Sequence, residues 1–117
     1  MIAVIFEAEP AEGESDAYLE LGAAMSRALG GIDGFLSVER FQSLTTPGKL
    51  LSLSFFRDEA AVERWRTMAA HRAAQERGRG RIFADYRLRV AAVLRDYGKY
   101  DRREAPADSR AAHDMSG

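Results

Sequence analysis

Lys49-Leu50-Leu51-Ser52-Leu53-Ser54-Phe55-Phe56-Arg57 is a β-rich run that carries apolar residues on both of its faces. Leu51, Leu53 and Phe55 share one parity, and Leu50 and Phe56 share the other. Successive side chains of a strand point to opposite sides of the sheet. A strand wetted on one side therefore alternates apolar with polar residues. This run does not, so both faces of its sheet need cover: helices on one, and on the other a second copy of the chain in an isologous contact.

Upstream, Thr45-Thr46-Pro47-Gly48 joins this strand to an extended run from Phe35 to Leu44 that Gly34 opens. A Pro-Gly pair between two β-rich runs predicts a hairpin. The chain begins with a short β-branched run, Ile2 to Ala8, that stops at Glu9-Pro10. Between Ser15 and Leu29 the apolar residues Tyr18, Leu21, Met25, Ala28 and Leu29 recur at helical spacing. Ser15 is the expected N-cap, and Gly30-Gly31 the stop, glycine suiting the left-handed conformation of many helix ends.

Downstream, Asp58 caps a helix with Val62, Trp65 and Ala69 on one face, continuing to about Arg77, where Gly78-Arg79-Gly80 interrupts. A last strand is expected from Tyr86 to Tyr97, with Leu88, Val90, Ala92 and Leu94 on one face and Arg87, Arg89, Ala91, Val93 and Arg95 on the other. The arginines on that face are expected to be solvated or paired with Glu39 or Asp85. The order is βαββαβ, an α+β, ferredoxin-like arrangement with an antiparallel sheet and both helices on one side. Residues 1–98 form this domain. Residues 99–117 are polar and aperiodic, a solvated tail or an arm laid on a partner subunit through Tyr100 and Pro106.

At 117 residues and 46% hydrophobic content the chain suits one domain with a real core. A formal charge of −1 gives no general electrostatic pull toward nucleic acid or anionic membranes. There are no cysteines, which excludes disulfides, thiolate catalysis and zinc-thiolate sites in this sequence. Met1 to Phe6 is apolar but lacks a basic n-region, and Glu7 ends it early, so a cytoplasmic, soluble protein is expected. No phosphate-cradling glycine loop and no GxSxG elbow is found. His71 and His113 lack ligand-spaced partners, so no metal site is expected. The third strand also lacks the glycine and exposed aromatics of RNA-recognition domains of the same topology.

What remains is a cluster around the second helix: Phe55-Phe56-Arg57-Asp58, then Trp65-Arg66, His71-Arg72 and Gln75. Together with Val4-Ile5-Phe6-Glu7, Gly34-Phe35 and Leu53-Ser54-Phe55-Phe56, this order of short motifs resembles the antibiotic biosynthesis monooxygenase (ABM) superfamily over residues 1 to about 97. The resemblance implies a dimeric α/β barrel with a pocket in each subunit between sheet and helices. It also implies oxygenation of phenolic or anthrone-like substrates by dioxygen without a cofactor, or the binding and degradation of haem. Trp65 matches the residue that lines the family's reaction pocket.

Cofactor-free oxygenation needs a substrate anion, hence a general base, and His71 is the candidate. Six residues at 3.6 per turn set it roughly 120° from Trp65 on a straight helix, so a shared pocket requires a bend or a wrapping cavity. Arg72 is a candidate electrostatic partner, and Phe6, Phe41 and Phe55 are candidate substrate walls. Strand parity leaves open whether Arg40 or Gln42 faces the pocket. Haem-degrading relatives pair the Trp and His with an Asn on the first strand; the matching position is about Phe6, and the chain has no Asn. The expectation is therefore a homodimeric monooxygenase taking a small planar aromatic, with no cofactor. The alternatives are a haem protein using His71 as ligand, and a non-catalytic ligand-binding dimer.

Overall fold

The computed structural model describes residues 1–75 and 82–113, apart from the side chains of 69–75 and 113. The expected helix end near Arg77 and the Gly78-Arg79-Gly80 interruption lie outside them. Strands β1 (Ile2–Pro10), β2 (Phe35–Gln42), β3 (Leu50–Phe56) and β4 (Phe83–Ala92) alternate with helices α1 (Ser15–Leu29) and α2 (Glu59–Gln75). A short helix, α3 (Ala107–His113), follows. The sheet has the order β2-β3-β1-β4 with every neighbouring pair antiparallel, the ferredoxin-like βαββαβ arrangement.

Cross-strand pairing sorts the side chains into two faces. Ile2, Val4, Phe6 and Ala8 of β1 lie level with Phe56, Ser54, Ser52 and Leu50 of β3, and with Ala92, Val90, Leu88 and Tyr86 of β4. Both helices pack on this face. Val4 and Phe56 form one core cluster with Leu29 of α1 and Ala61 and Val62 of α2. Ala8 and Tyr18 form a second with Ile82. Neither α1 nor α2 covers the opposite face. It carries Ile5, Leu51, Leu53 and Phe55, all half-buried, and Glu7, whose carboxylate meets Lys49 at 3.6 Å and Arg89 at 3.2 Å. The partner of Arg89 is thus Glu7, reached diagonally across the β1–β4 ladder, where Arg89 itself is level with Ile5, rather than Glu39 or Asp85.

The punctuation has local causes. Ser43 Oγ accepts hydrogen bonds from the Thr45 and Thr46 amides, and Gly48 takes φ +81, closing the β2–β3 hairpin where Pro47-Gly48 predicts it. Gly34 takes φ +92, and a Cβ there would sit 2.7 Å from the Ala61 Cβ, so only glycine lets β2 start against α2. Gly30 is right-handed, with φ −58, so α1 does not end through the left-handed glycine expected. Its N-cap position is Glu14, with no side-chain bond, rather than Ser15.

Asp58 caps α2 as expected: its Oδ1 accepts the Ala61 amide at 2.9 Å. That bond, with help from Arg57, holds its carboxyl below the ordinary value of 3.8. A lowered carboxyl stabilises the fold above its unfolded pKa, and the contribution fades as pH falls through the folded one. Asp58→Ala is expected to lower the Tm by a few degrees at pH 7 and to narrow that deficit in acid. Asp58→Asn keeps most of the cap. Thermal melts at several pH values check both; a deficit unchanged down to pH 2 would contradict the capping role.

β4 begins at Phe83 and ends at Ala92, three residues earlier at its start and five at its end than the alternating pattern suggests. After the Val93 amide donates to the Met1 carbonyl oxygen the chain leaves the sheet. Its alternation continues past the ladder, which is why pattern alone overextends the strand. The exit segment holds itself together: Asp101 pairs with Arg103 at 2.8 Å, Glu104 accepts the Asp96 amide, and Arg102 lies over the Tyr97 ring. Leu94 and Tyr100 remain 85% and 87% exposed.

Candidate functional site

The face shared by the helices is not filled. A cavity of about 270 Å³ lies between α1, α2 and the sheet, near the lower end of small-molecule pockets. Its floor follows from the register. One row crosses all four strands as Arg40, Ser52, Phe6 and Leu88, and every member lines the cavity. The next row adds Val38, Ser54 and Val4. The roof is one face of α1, with Tyr18, Leu21, Gly22, Met25, Ser26 and Leu29 at helical spacing. Trp65 of α2 closes one side.

The floor is graded in polarity: a guanidinium on β2, two hydroxyls on β3, apolar side chains on β1, and Tyr86 and Leu88 on β4. Four rings gather at the β4 end. Phe6 meets Phe83 edge-on at 5.6 Å and Tyr86 at 5.7 Å, and Tyr18 meets Phe83 edge-on at 5.6 Å. Such contacts leave ring faces and edges available to a flat guest. Tyr18 is 4% exposed, and burial pushes its phenol above the ordinary value of 10.0 despite the opposing charge of Arg40. It therefore stays protonated at neutral pH and can donate a hydrogen bond. Its hydroxyl, and those of Ser52 and Ser54, make no side-chain hydrogen bond among the described residues.

The expected site residues divide. Trp65 and Phe6 line the cavity, Trp65 also packing on Phe56 at 6.2 Å between ring centroids. Phe41 and Phe55 do not line it: β3 pairing sets Phe55 level with Ala3, and Phe41 pairs with Leu51, both on the opposite sheet face. The residue that turns inward is Phe56, and it is core, not wall. Arg40 settles the open parity question in favour of the cavity; Gln42 is not among its lining residues. α2 runs without interruption through residue 71, and the side chains of His71 and Arg72 lie outside the described residues.

Tyr18, Met25, Ser52, Ser54, Phe83 and Tyr86 are wall residues that sequence reasoning did not single out. Ser52 and Ser54 carried a usable signal: two hydroxyls at alternate positions on the inward parity of an otherwise apolar strand. Phe83 carried none, because the strand that holds it starts before the alternating pattern.

The position matching the haem-degraders' first-strand Asn is taken by Phe6, whose ring is committed to the aromatic cluster. The residues present do not fit a haem site of that pattern.

Sheet and helices together define an α+β protein of the dimeric α/β barrel fold. Residues 1–77 match the antibiotic biosynthesis monooxygenase family, and the chain belongs to it. A jasmonate monooxygenase of Pyricularia oryzae is 42% identical over 117 residues, covering 99% of this chain and 54% of that protein. The chain thus spans about half the length of this relative. An uncharacterised protein of Bacillus subtilis, YqjZ, is 32% identical over 93 residues, 80% of this chain and 79% of its own length. The structure of Rv0793 from Mycobacterium tuberculosis superimposes with a TM-score of 0.71 at 23% identity, over 83% of this chain and 98% of that one, a likeness of fold. Among the described residues no helix is long and apolar enough to cross a membrane, and no group of His, Asp and Glu could hold a metal ion.

Proposed function

We propose that the chain is a monooxygenase that takes a small, flat, electron-rich ring compound into the cavity between α1, α2 and the sheet. The carrying observation is the cavity itself: lined largely by apolar and aromatic side chains, with a few hydroxyls from α1, β3 and β4 among them. The 42% identity to an enzyme that oxygenates a small molecule, jasmonate, supports the same reading.

In the cofactor-free form of this chemistry the ring supplies the electrons. A phenol loses its hydroxyl proton to a base. The carbon para to it accepts one oxygen atom of O2 and gives up its hydrogen, and the second oxygen atom leaves as water. Phenol and O2 thus become quinone and water. His71, on α2 six residues beyond Trp65, is the proposed base, its ordinary pKa near ~6.5 suiting proton removal at neutral pH. Arg72 is its proposed electrostatic partner. Tyr18 and the Trp65 indole N–H orient the ring oxygen, and Phe6 packs on the ring.

The active form is proposed to be a homodimer. Ile5, Leu51, Leu53 and Phe55 form an apolar patch on the sheet face that α1 and α2 leave free, bordered on one side by the paired charges of Glu7, Lys49 and Arg89, a composition that suits an interface with an apolar core. Residues 99–117 serve as the arm that reaches the partner.

Oxygen uptake with a panel of naphthols and anthrone tests the reaction. One O2 is expected per quinone formed, with no added reductant. His71→Ala is expected to slow the rate by about a hundredfold or more. Absence of uptake, uptake that needs a reductant, or equal rates in His71→Ala would contradict the mechanism.

A further inference from the structure

The one charged side chain that lines the cavity is left over by that chemistry. Arg40 stands at the β2 end of the floor row, at the opposite side of the sheet from the aromatic cluster. Its Nη1 donates to the Leu19 carbonyl oxygen at a long 3.5 Å. That contact uses one of a guanidinium's five N–H groups. No carboxylate lies within ion-pair distance of it among the described residues. Arg40 is exposed, so its guanidinium borders the cavity from the solvent side, and the N–H groups it has left are open to an anionic ligand that enters there.

A second observation points the same way. Gly22 sits in the middle of α1, where glycine costs about 1 kcal/mol relative to alanine. A Cβ built there would be 2.5 Å from Arg40 Nη1. With no methyl group there, the guanidinium can come up close to α1 at the cavity's edge; an alanine would make it shift. A helix-weakening residue stands where it positions a charge.

We propose that Arg40, seated against Gly22, is the reader of a carboxylate on the ligand, so that the site takes organic acids: a ring that lies among Phe6, Phe83 and Tyr86 and a short arm that ends in an anion at β2. The dimensions agree. Neighbouring strands are spaced ~4.8 Å, so β2 and β4 lie roughly 14 Å apart across the floor. A one- or two-ring compound with a one- or two-carbon acid arm spans the distance from the cluster to the guanidinium. The hydroxyls of Ser52 and Ser54 fall beneath the middle of such a ligand, where its arm joins its ring. Arginine suits the task because its fork meets both carboxylate oxygens at once, which lysine cannot do.

The assignment rests on the cavity being the ligand site, and its test needs no turnover. Calorimetric titration of the full chain with 1-naphthylacetate and with its methyl ester compares an anion with a neutral molecule of nearly the same shape. The acid is expected to bind at least about tenfold more tightly than the ester. Arg40→Met is expected to erase that difference by weakening the acid alone, and Arg40→Lys to restore part of it. Gly22→Ala is expected to lessen the preference without lowering the Tm, because its methyl group displaces the guanidinium while favouring the helix. Melting curves confirm that each variant folds.

Equal binding of acid and ester by the wild type, no binding of either at millimolar concentration, or an unchanged preference in Arg40→Met would overturn the assignment. Acid preference without oxygen uptake would contradict the oxygenase alone. Uptake with neutral phenols and no acid preference would contradict the Arg40 assignment alone.

Discussion

Phe56→Ala is expected to lower the unfolding free energy by about 3–5 kcal/mol. The side chain is 0% exposed and its ring meets those of Phe35 and Trp65 at 5.8 and 6.2 Å between centroids. It shares a cluster with Val4, Leu29, Ala61 and Val62, so β1, β2, β3 and both principal helices converge on it. Walls drawn from four other elements cannot all collapse into the space left by a deleted ring, and the cavity term adds to the lost burial. A domain of this size has ~5–15 kcal/mol in all, so a large share of it would go. Urea denaturation checks this: the midpoint should fall with little change in slope. A loss below about 1 kcal/mol would mean that the helices do not close on β3 at this residue.

Ser54→Leu is expected to do the reverse, abolishing the site while sparing the fold. Ser54 is 4% exposed, yet it lines the cavity from β3, between Val4 of β1 and Val38 of the edge strand β2. Leucine there places an isobutyl group in space that a ligand would fill. The surroundings are apolar, and the lost hydroxyl has no side-chain partner among the described residues, so no buried group is orphaned. Stability should change by no more than about 1–2 kcal/mol. Ligand affinity and turnover should fall by about a hundredfold or more, because the added carbons and the ligand cannot occupy one volume. Oxygen uptake unaffected by this change would place the reaction elsewhere.

The contrast between these two neighbours on β3 shows what was legible in the sequence. Apolar residues on both parities of Leu50 to Phe56 gave a sheet with two faces to cover, and the hairpin at Pro47-Gly48 and the cap at Asp58 gave its boundaries. Parity also implies that Phe55 and Phe56 point apart. Which of the two faces the helices is a property of register, and register depends on partners distant in sequence. That is why Phe41 and Phe55, read as pocket walls, sit on the far face, while Arg40 and Ser52 meet in one row. Phe83 and Tyr18 join the site through packing between α1 and β4, a contact no local pattern records. Trp65 was legible because it is the one tryptophan, on the apolar stripe of α2.

That single tryptophan also gives the most direct test of the central claim, that the cavity beneath α1 is where a small ring compound binds. The chain has one Trp, hence one indole N–H signal in a 1H–15N correlation spectrum. Titration with 1-naphthol should move that signal along a saturable curve in the wild type and leave it in place in Ser54→Leu. A wild-type signal that does not move, or one that moves equally in both proteins, would contradict the claim.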